Sequence, residues 1–438
     1  MKPFTVSLFV VVSLASLSSA CGTHPVQVDR DAAGGDDDAL IDAADPDASN
    51  DPARVEASSF DGPLAGVTVA ILDASDGVVS TGTTAADGAF TGVVPVGGSV
   101  IAASPANDYV YMWRSVEAGD VLRARFDVAS TTHDVTFILP NSGSGDYSVT
   151  TRCRRTDSAP NNNVTVALPV SCTASDVVAH YYSYSDNVDR AFQVTAQDLT
   201  ASSIDLTAVP WADSPGYTLA VTNIPSSITQ ITSSTRIGEL HIFGIMDTFS
   251  GTAPLGDRSY NARTLAVAGA QAVARFDFFP TIHDTFQSMV RRTATLPTTP
   301  IDATLRLVNL SNVVYASATR RLTWDQGSVG DPIDAARGTI VFERRGLPHL
   351  TWDILQPASA ASAQSTTIPA LPPELAGVDP GTTTSWTRDI GGYAIPGGYD
   401  RVRTTLFGLT RFYPDWLSDA DMLLAQPGLL RYVGSGPI

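Results

Sequence analysis

Cations are scarce in this chain of 438 residues: 27 Lys and Arg stand against 45 Asp and Glu, a formal charge of -18, and the only lysine is Lys2. Nucleic-acid backbones are held by clustered Lys and Arg that displace counterions. No basic stripe of that kind occurs, which excludes nucleic acid as a partner. Charged residues of both signs make up 16%, well below the roughly 25% usual in soluble domains. Cysteines number three, and histidine stops at His24, His133, His180, His241, His283 and His349. None of these histidines stands in H-x-x-E, H-E-x-x-H or H-x-H, so the common zinc-hydrolase ligand sets are missing. A G-x-S-x-G elbow, a P-loop and a G-x-G-x-x-G ahead of a helix are missing too. The sequence therefore nominates no catalytic residue, no metal and no cofactor.

What is present points to strands. With 43% apolar residues the chain can bury a sizeable core, which excludes wholesale disorder. The 34 Gly and 28 Pro fall among runs of Ser, Thr and Val, the composition of short strands joined by tight turns and not of a helical bundle. At about 100–200 residues per domain the length allows two to four units.

The N-terminus reads Met1-Lys2, then an apolar run from Phe4 to Leu17, then Ser18-Ser19-Ala20-Cys21. A positive start, a short apolar core and small residues at the cut are the parts of a secretory signal peptide, and the run is too short for a membrane span. A Cys directly after small residues resembles the lipobox of bacterial lipoproteins, which implies acylation of Cys21 and anchoring in the cell envelope, at the outer membrane. The alternative is cleavage after Ala20 to give a plain secreted protein. Nine Asp and one Arg (Arg30) follow between residues 29 and 51. That segment cannot bury enough surface to offset its ordering entropy and reads as a disordered acidic linker. An EF-hand loop would need a Glu in twelfth place, and no Glu lies between 29 and 51. With Cys21 lipidated, Cys153 and Cys172 remain as an even pair in an oxidising compartment, which implies a disulfide. A reactive thiol beside Arg152, Arg154 and Arg155 is the alternative.

From Phe60 the text changes to short β-rich runs with turns at Asp76-Gly77 and Asp87-Gly88, a strong hairpin signal. The order Pro63-Leu64-Ala65-Gly66-Val67-Thr68-Val69, then Thr84 with Asp87-Gly88-Ala89-Phe90, then Pro95 with Gly97-Gly98, resembles the carboxypeptidase regulatory-like domain. That resemblance implies a small transthyretin-like β-sandwich carrying no catalytic residue, and so a fold without a reaction.

Two echoes follow. Ala124-Arg125-Phe126-Asp127, Thr131 and His133-Asp134 recur as Ala274-Arg275-Phe276-Asp277, Thr281 and His283-Asp284; Leu322-Thr323-Trp324-Asp325 recurs as Leu350-Thr351-Trp352-Asp353. Leu122, Ala124, Phe126 and Val128 alternate with Arg123, Arg125 and Asp127, as do Ala274, Phe276 and Phe278 with Arg275 and Asp277, the period of a half-buried strand, which predicts that both copies lie on antiparallel sheets. His133, Asp134, His283 and Asp284 are the candidate repeat-related site. As an acid-base dyad or metal-ligand pair they are opposed by strand geometry, since consecutive side chains point to opposite faces. A shared role bonding nearby backbone is the other reading. Further strands are expected at 135–139, 164–170, 203–209, 218–221, 240–245, 303–308, 338–343 and 402–406, an extended connector at Ile368 to Pro373, and a short helix from Ser418 to Pro427. The rings at Tyr109 to Trp113, Tyr181, Tyr182, Tyr184, Trp211, Trp324, Trp352, Trp386 and Trp416 either stack on sugars or fill cores. Gly391-Gly392-Tyr393 and Gly397-Gly398-Tyr399 bracket a possible ligand loop.

The expected architecture is all-β: signal peptide 1–20, acidic linker 21–58, a regulatory-like sandwich at 59–115, a β-sandwich unit at 116–255, and a related β-rich unit with the short helix at 256–438. The expected function is a non-catalytic binding or structural module of the envelope, held to the membrane by its lipid and meeting a glycan or another envelope protein. An envelope polysaccharide hydrolase and a component of a surface assembly are the alternatives, because two carboxylates at glycosidase spacing leave no sequence signature.

Overall fold

A computed structural model describes residues 51 to 435 apart from 60–61, 107, 127–130, 154–158, 184, 225–228, 238–239, 243–245, 250–255, 279–284, 294–298, 303, 305–306, 360, 384 and 406–427. The leader, Cys21, His283, Asp284, Trp416 and the expected helix at 418–427 lie outside the described residues. The described residues belong to a compact unit, Ser49–Ile438. Its fold is all-β, built from packed and mostly antiparallel sheets.

The first strands are β1 (Ala53–Ser59), β2 (Gly62–Pro63), β3 (Thr68–Leu72), β4 (Val78–Thr83), β5 (Ala89–Gly92), β6 (Ser99–Ala103), β7 (Tyr109–Trp113) and β8 (Val121–Arg125). Both Asp-Gly turns form; Asp76 has φ 65° and Gly88 has φ 74°. At Gly88 a Cβ would meet the Ala57 carbonyl at 2.3 Å, so only glycine fits. β1 carries β2 and β5 antiparallel and β8 in parallel. The first echo thus lies in a mixed sheet, not the antiparallel one expected. Its alternation holds: Leu122, Ala124 and Phe126 are buried, Arg123 is exposed. These side chains pack with Val69, Ile71, Val100, Tyr111 and Trp113 from the second layer.

That second layer does not end with the N-terminal strands. All five residues of β7, Tyr109-Val110-Tyr111-Met112-Trp113, are buried, the mark of a strand covered on both faces. The partner that completes it comes from far along the chain.

In the middle of the chain lie β9 (Thr132–Ile138), β10 (Asp146–Thr151), β11 (Asn163–Pro169), β12 (Ala174–Ser183), β13 (Val188–Asp198), β14 (Ser203–Asp205) and β15 (Ala212–Asp213). They form two sheets, β10-β12-β13-β15 and β11-β9-β14, around Val135, Phe137, Val164, Tyr147, Tyr181 and Phe192. The Cys153–Cys172 disulfide pins the end of β10 beside the turn ahead of β12.

Next come β16 (Gly216–Ile224), β17 (Thr229–Ile237), β18 (Leu240–Ile242), β19 (Met246–Phe249), β20 (Gly256–Arg263), β21 (Ala270–Phe278), β22 (Thr285–Thr293) and β23 (Ile301–Asp302). The last set is β24 (Leu310–Ala316), β25 (Arg321–Gln326), β26 (Ala335–Phe342), β27 (Leu350–Pro357), β28 (Ala363–Thr367), β29 (Ser385–Ala394) and β30 (Gly428–Ser435). A central sheet runs β18-β17-β21-β22-β30-β29-β26-β27-β7-β6-β3-β4, with β19 on β17. β7 joins it through a parallel pairing with β27, from Thr351 beside Tyr109 to Leu355 beside Trp113. The stretch expected as a unit at 59–115 therefore shares one sheet with strands from 256–438. The opposite face of that sheet is covered by β24-β25-β28, where Leu322 and Trp324 meet Ile340, Phe342, Trp352 and Ile354.

Two local expectations change. Residues 402–404 belong not to a strand but to helix α1 (Gly398–Thr404). Gly397 at φ 92° and Gly398 at φ 58° turn the chain into it, Asp400 sits in its first turn and Arg401 and Arg403 in its last, matching the helix dipole. Arg403 is buried and clamps the helix down: its Nε lies 2.8 Å from Asp120 and its Nη1 donates to the Ser115 carbonyl at 2.7 Å. The bracketing glycines are likewise no loop. Gly391 and Gly392 lie in β29, where a Cβ on Gly391 would meet the Tyr432 hydroxyl at 2.4 Å. The Pro-rich connector runs into a 3-10 turn at Pro373–Val378.

Cys153→Ser should lower the unfolding free energy by about 2–4 kcal/mol, the cost of losing closure of a loop of this length. Denaturant titration under oxidising conditions measures it, and addition of reductant should bring the wild type to the same midpoint.

Candidate functional site

The repeated tetrapeptide Leu-Thr-Trp-Asp shows how context makes a site. On β25, Leu322 and Trp324 are buried while Asp325 is exposed, because the other face of that sheet meets water. On β27 all of Leu350, Thr351, Trp352 and Asp353 are buried, because the central sheet is covered on both faces. Asp353 is 0% exposed, and a carboxylate there must find its partners inside the protein.

Those partners come from β26 and β7, the two strands that flank β27. Register places Thr339 of β26 beside both Asp353 of β27 and Asp389 of β29, and Asp353 beside Tyr111 of β7. Arg337, two residues before Thr339 and so on the same face, donates from Nη2 to Asp353 Oδ2 at 2.6 Å and from Nε to Oδ1 at 3.2 Å. Thr339 Oγ1 donates to Oδ1 at 2.5 Å, and the Tyr109 hydroxyl donates to Oδ2. Burial opposes charge on Arg337, but Asp353 prevails and holds the guanidinium firmly protonated. Burial, followed by the Asp353 charge, pushes the Tyr109 phenol well up, so it remains a donor. Tyr393 is also raised by burial, against the Arg337 charge beside it.

Asp389 stands at the end of this row. Its Oδ1 is buried without a hydrogen-bond partner. Burial, reinforced by the neighbouring Asp353 carboxylate, pushes its pKa up to about 6. Two carboxylates flanking one strand suggest an acid pair, but both Asp353 oxygens are already bonded to Arg337, Thr339 and Tyr109. Asp353 is therefore spent within the row, and Asp389 keeps one oxygen unbonded.

The residues nominated from sequence are arranged differently. His133 lies on β9 with its Nε2 3.0 Å from the Leu199 carbonyl, and Asp134, the next residue along the strand, is exposed. The pair therefore does not converge. His180 and Ser214 both reach Asp189 Oδ1, at 3.1 Å and 2.7 Å. A catalytic triad would instead require the hydroxyl on the imidazole. The aromatic rings fill interiors: Trp113, Trp324 and Trp352 are buried, and Trp211 packs tilted against Phe192, centroids 4.7 Å apart, while donating to the Pro140 carbonyl. Among the aromatic residues whose side chains are described, none is exposed. Sequence reasoning passed over Arg337 and Asp389, and took Tyr109 as one ring of an aromatic run and Asp353 as the end of an echo. The available signal was a charge set inside apolar text, as in Trp352-Asp353-Ile354-Leu355 and Ala336-Arg337-Gly338-Thr339-Ile340.

No protein-family model and no curated protein matches the chain. Among solved structures the Bacillus anthracis TIE protein is similar at 9% identity over 57% of this chain, with a TM-score of 0.16. The match spans half the length of that protein, 50%, and a likeness at this level carries no argument.

Arg337→Leu should destabilise the protein by about 3–5 kcal/mol by stranding Asp353, while Arg337→Leu with Asp353→Leu should cost less; a denaturant double-mutant cycle reads the difference. Asp389 holds its proton in the folded state up to about pH 6, whereas the unfolded chain releases it near the ordinary carboxylate value of about 4. Stability should therefore fall as pH rises from about 4 to 6 and level off above that range. Asp389→Asn should flatten that slope and, allowing for partial solvent screening, stabilise the protein at pH 8 by about 1–3 kcal/mol.

Proposed function

We propose that this chain is an exported, lipid-anchored protein of the bacterial envelope, at the outer membrane, acting as a non-catalytic binding or structural module. The observation that carries the reading is Cys21 directly after Ser18-Ser19-Ala20 at the end of an apolar leader. The Cys153–Cys172 bond supports it, since disulfides persist outside the reducing cytosol. The Asp-rich segment serves as the spacer between anchor and body. The stretch resembling a carboxypeptidase regulatory-like domain acts as scaffold and supplies no reacting group.

The interior charges support a module over an enzyme, because Asp353 and Asp189 are consumed by neighbouring side chains. The buried or half-buried state of the rings whose side chains are described favours a protein partner over a glycan, whose sugars need an open aromatic face on which to stack.

Cells expressing the protein and fed labelled fatty acid should incorporate the label into the wild type and not into Cys21→Ala, and detergent phase separation should move the variant to the aqueous phase. Equal labelling and partitioning of the two forms would overturn the anchoring.

A further inference from the structure

The edges of the sheets are not treated alike. On β24 the Val313 carbonyl accepts Arg388 Nε at 2.9 Å. On β28 the Ser365 carbonyl accepts Gln356 Nε2 at 3.3 Å and the Thr367 carbonyl accepts Arg114 Nη2. On β8 the Arg125 carbonyl accepts the Tyr111 hydroxyl at 2.7 Å. β4 closes one end of the central sheet and pairs with β3 alone. Among the described residues no side chain bonds to its backbone.

Natural edges are also guarded by charge, by proline or by a covering segment. From Gly77 to Ala86 the chain carries no charged residue and no proline. A bulge in the pairing at Leu72 with Val78 sets two neighbouring valines outward: Val78 is 46% and Val79 50% exposed. A bulge is one edge guard, but it sits at the start of the strand and leaves Ser80 to Thr83 in regular register. Val93 and Val96 are exposed in the nearby loop, where Gly97 approaches Ala74.

Charge brackets this neutral strand. Asp73 and Asp76 precede it; Arg114 answers Asp76, while Asp73 Oδ1 accepts from the amides of Ser75 and Gly77. Asp87 follows in the next turn and is exposed. A second copy laid antiparallel on this edge would set aspartate against aspartate within a chain whose total charge is already -18. A neutral strand with a cation at each end meets the edge without that conflict.

We propose that β4 is a docking edge for strand addition by an extended segment of another protein, β-branched in its middle and flanked by Arg or Lys. Main-chain bonds to the open edge supply the affinity, and the aspartates at both ends supply the choice of partner. The proposal gives the binding-module reading a surface and a class of partner, and it stands on the body of the protein independently of the lipid.

The test uses synthetic peptides of alternating Thr and Val with Arg at both ends, or with Glu at both ends, added to the purified exported protein in its wild-type and Cys21→Ala forms. The Arg-ended peptide should bind both forms equally, at least tenfold more tightly than the Glu-ended one, and should protect the amides of Val78 to Thr83 from hydrogen exchange. Thr81→Pro, which removes an outward amide and leaves the ladder to β3 in place, should abolish binding, and Asp87→Lys should narrow or reverse the preference between peptides, each with an unchanged β spectrum. Absence of saturable binding, equal binding of the two peptides, protection elsewhere only, or dimerisation of the unliganded protein through Val78 to Thr83 would each overturn it. A wild type that carries no acyl chain yet binds the peptide would overturn the anchoring and leave this edge in place.

Discussion

A carboxylate removed from water has to be answered from inside, and Asp353 is answered by Arg337, Thr339 and Tyr109, each from a strand next to its own or one it pairs with. Losing any one of these leaves the others holding part of a charge in a dry core, where an unpaired group costs several kcal/mol. The bonds therefore demand that β26, β27 and β7 lie side by side in one register. Tyr109 and Asp353 are 244 residues apart in the chain. The polar row thus specifies a long-range pairing that apolar packing alone would leave free to slip by two residues.

The rest of the architecture follows from that join. Because β7 is completed by β27, the layer formed by β3, β4, β6 and β7 continues into the strands from the far half of the chain. Its two faces are then buried by different means: β1, β5 and β8 cover one side, and β24, β25 and β28 the other. Helix α1 locks the first of these layers, with Arg403 held between Asp120 and the Ser115 carbonyl. A small sandwich that would bury only part of its surface alone gains a core by sharing it. The sandwich of β9 to β15 keeps its own interior and its own disulfide.

Local features were legible in the sequence, and long-range ones were not. The Asp-Gly turns, the alternation of Leu122, Ala124 and Phe126, and the pairing of Cys153 with Cys172 all rest on neighbours or on counting, and the structure has each of them. Residues 402–406 read as a strand-like run, yet 402–404 are helical with Val402 and Arg403 both buried, Arg403 held by Asp120 and Asp400. The same Leu-Thr-Trp-Asp text ends in an exposed Asp325 and a buried Asp353. Nothing within four residues tells them apart; the difference is how many layers cover the strand. The edge of β4 is a similar case, since its neutrality can be read from the text but its solitude cannot.

The claim at the centre is that β7 and β27 stand or fall together. Native-state hydrogen exchange at increasing denaturant measures this directly. Amides of Tyr111, Met112, Asp353 and Ile354 should converge on one opening free energy with one denaturant slope, and in Arg337→Leu all four should drop by the same amount. If the amides of β3, β6 and β7 opened together at an energy of their own, unchanged by Arg337→Leu, the N-terminal sandwich would be an independent domain and the account would be contradicted.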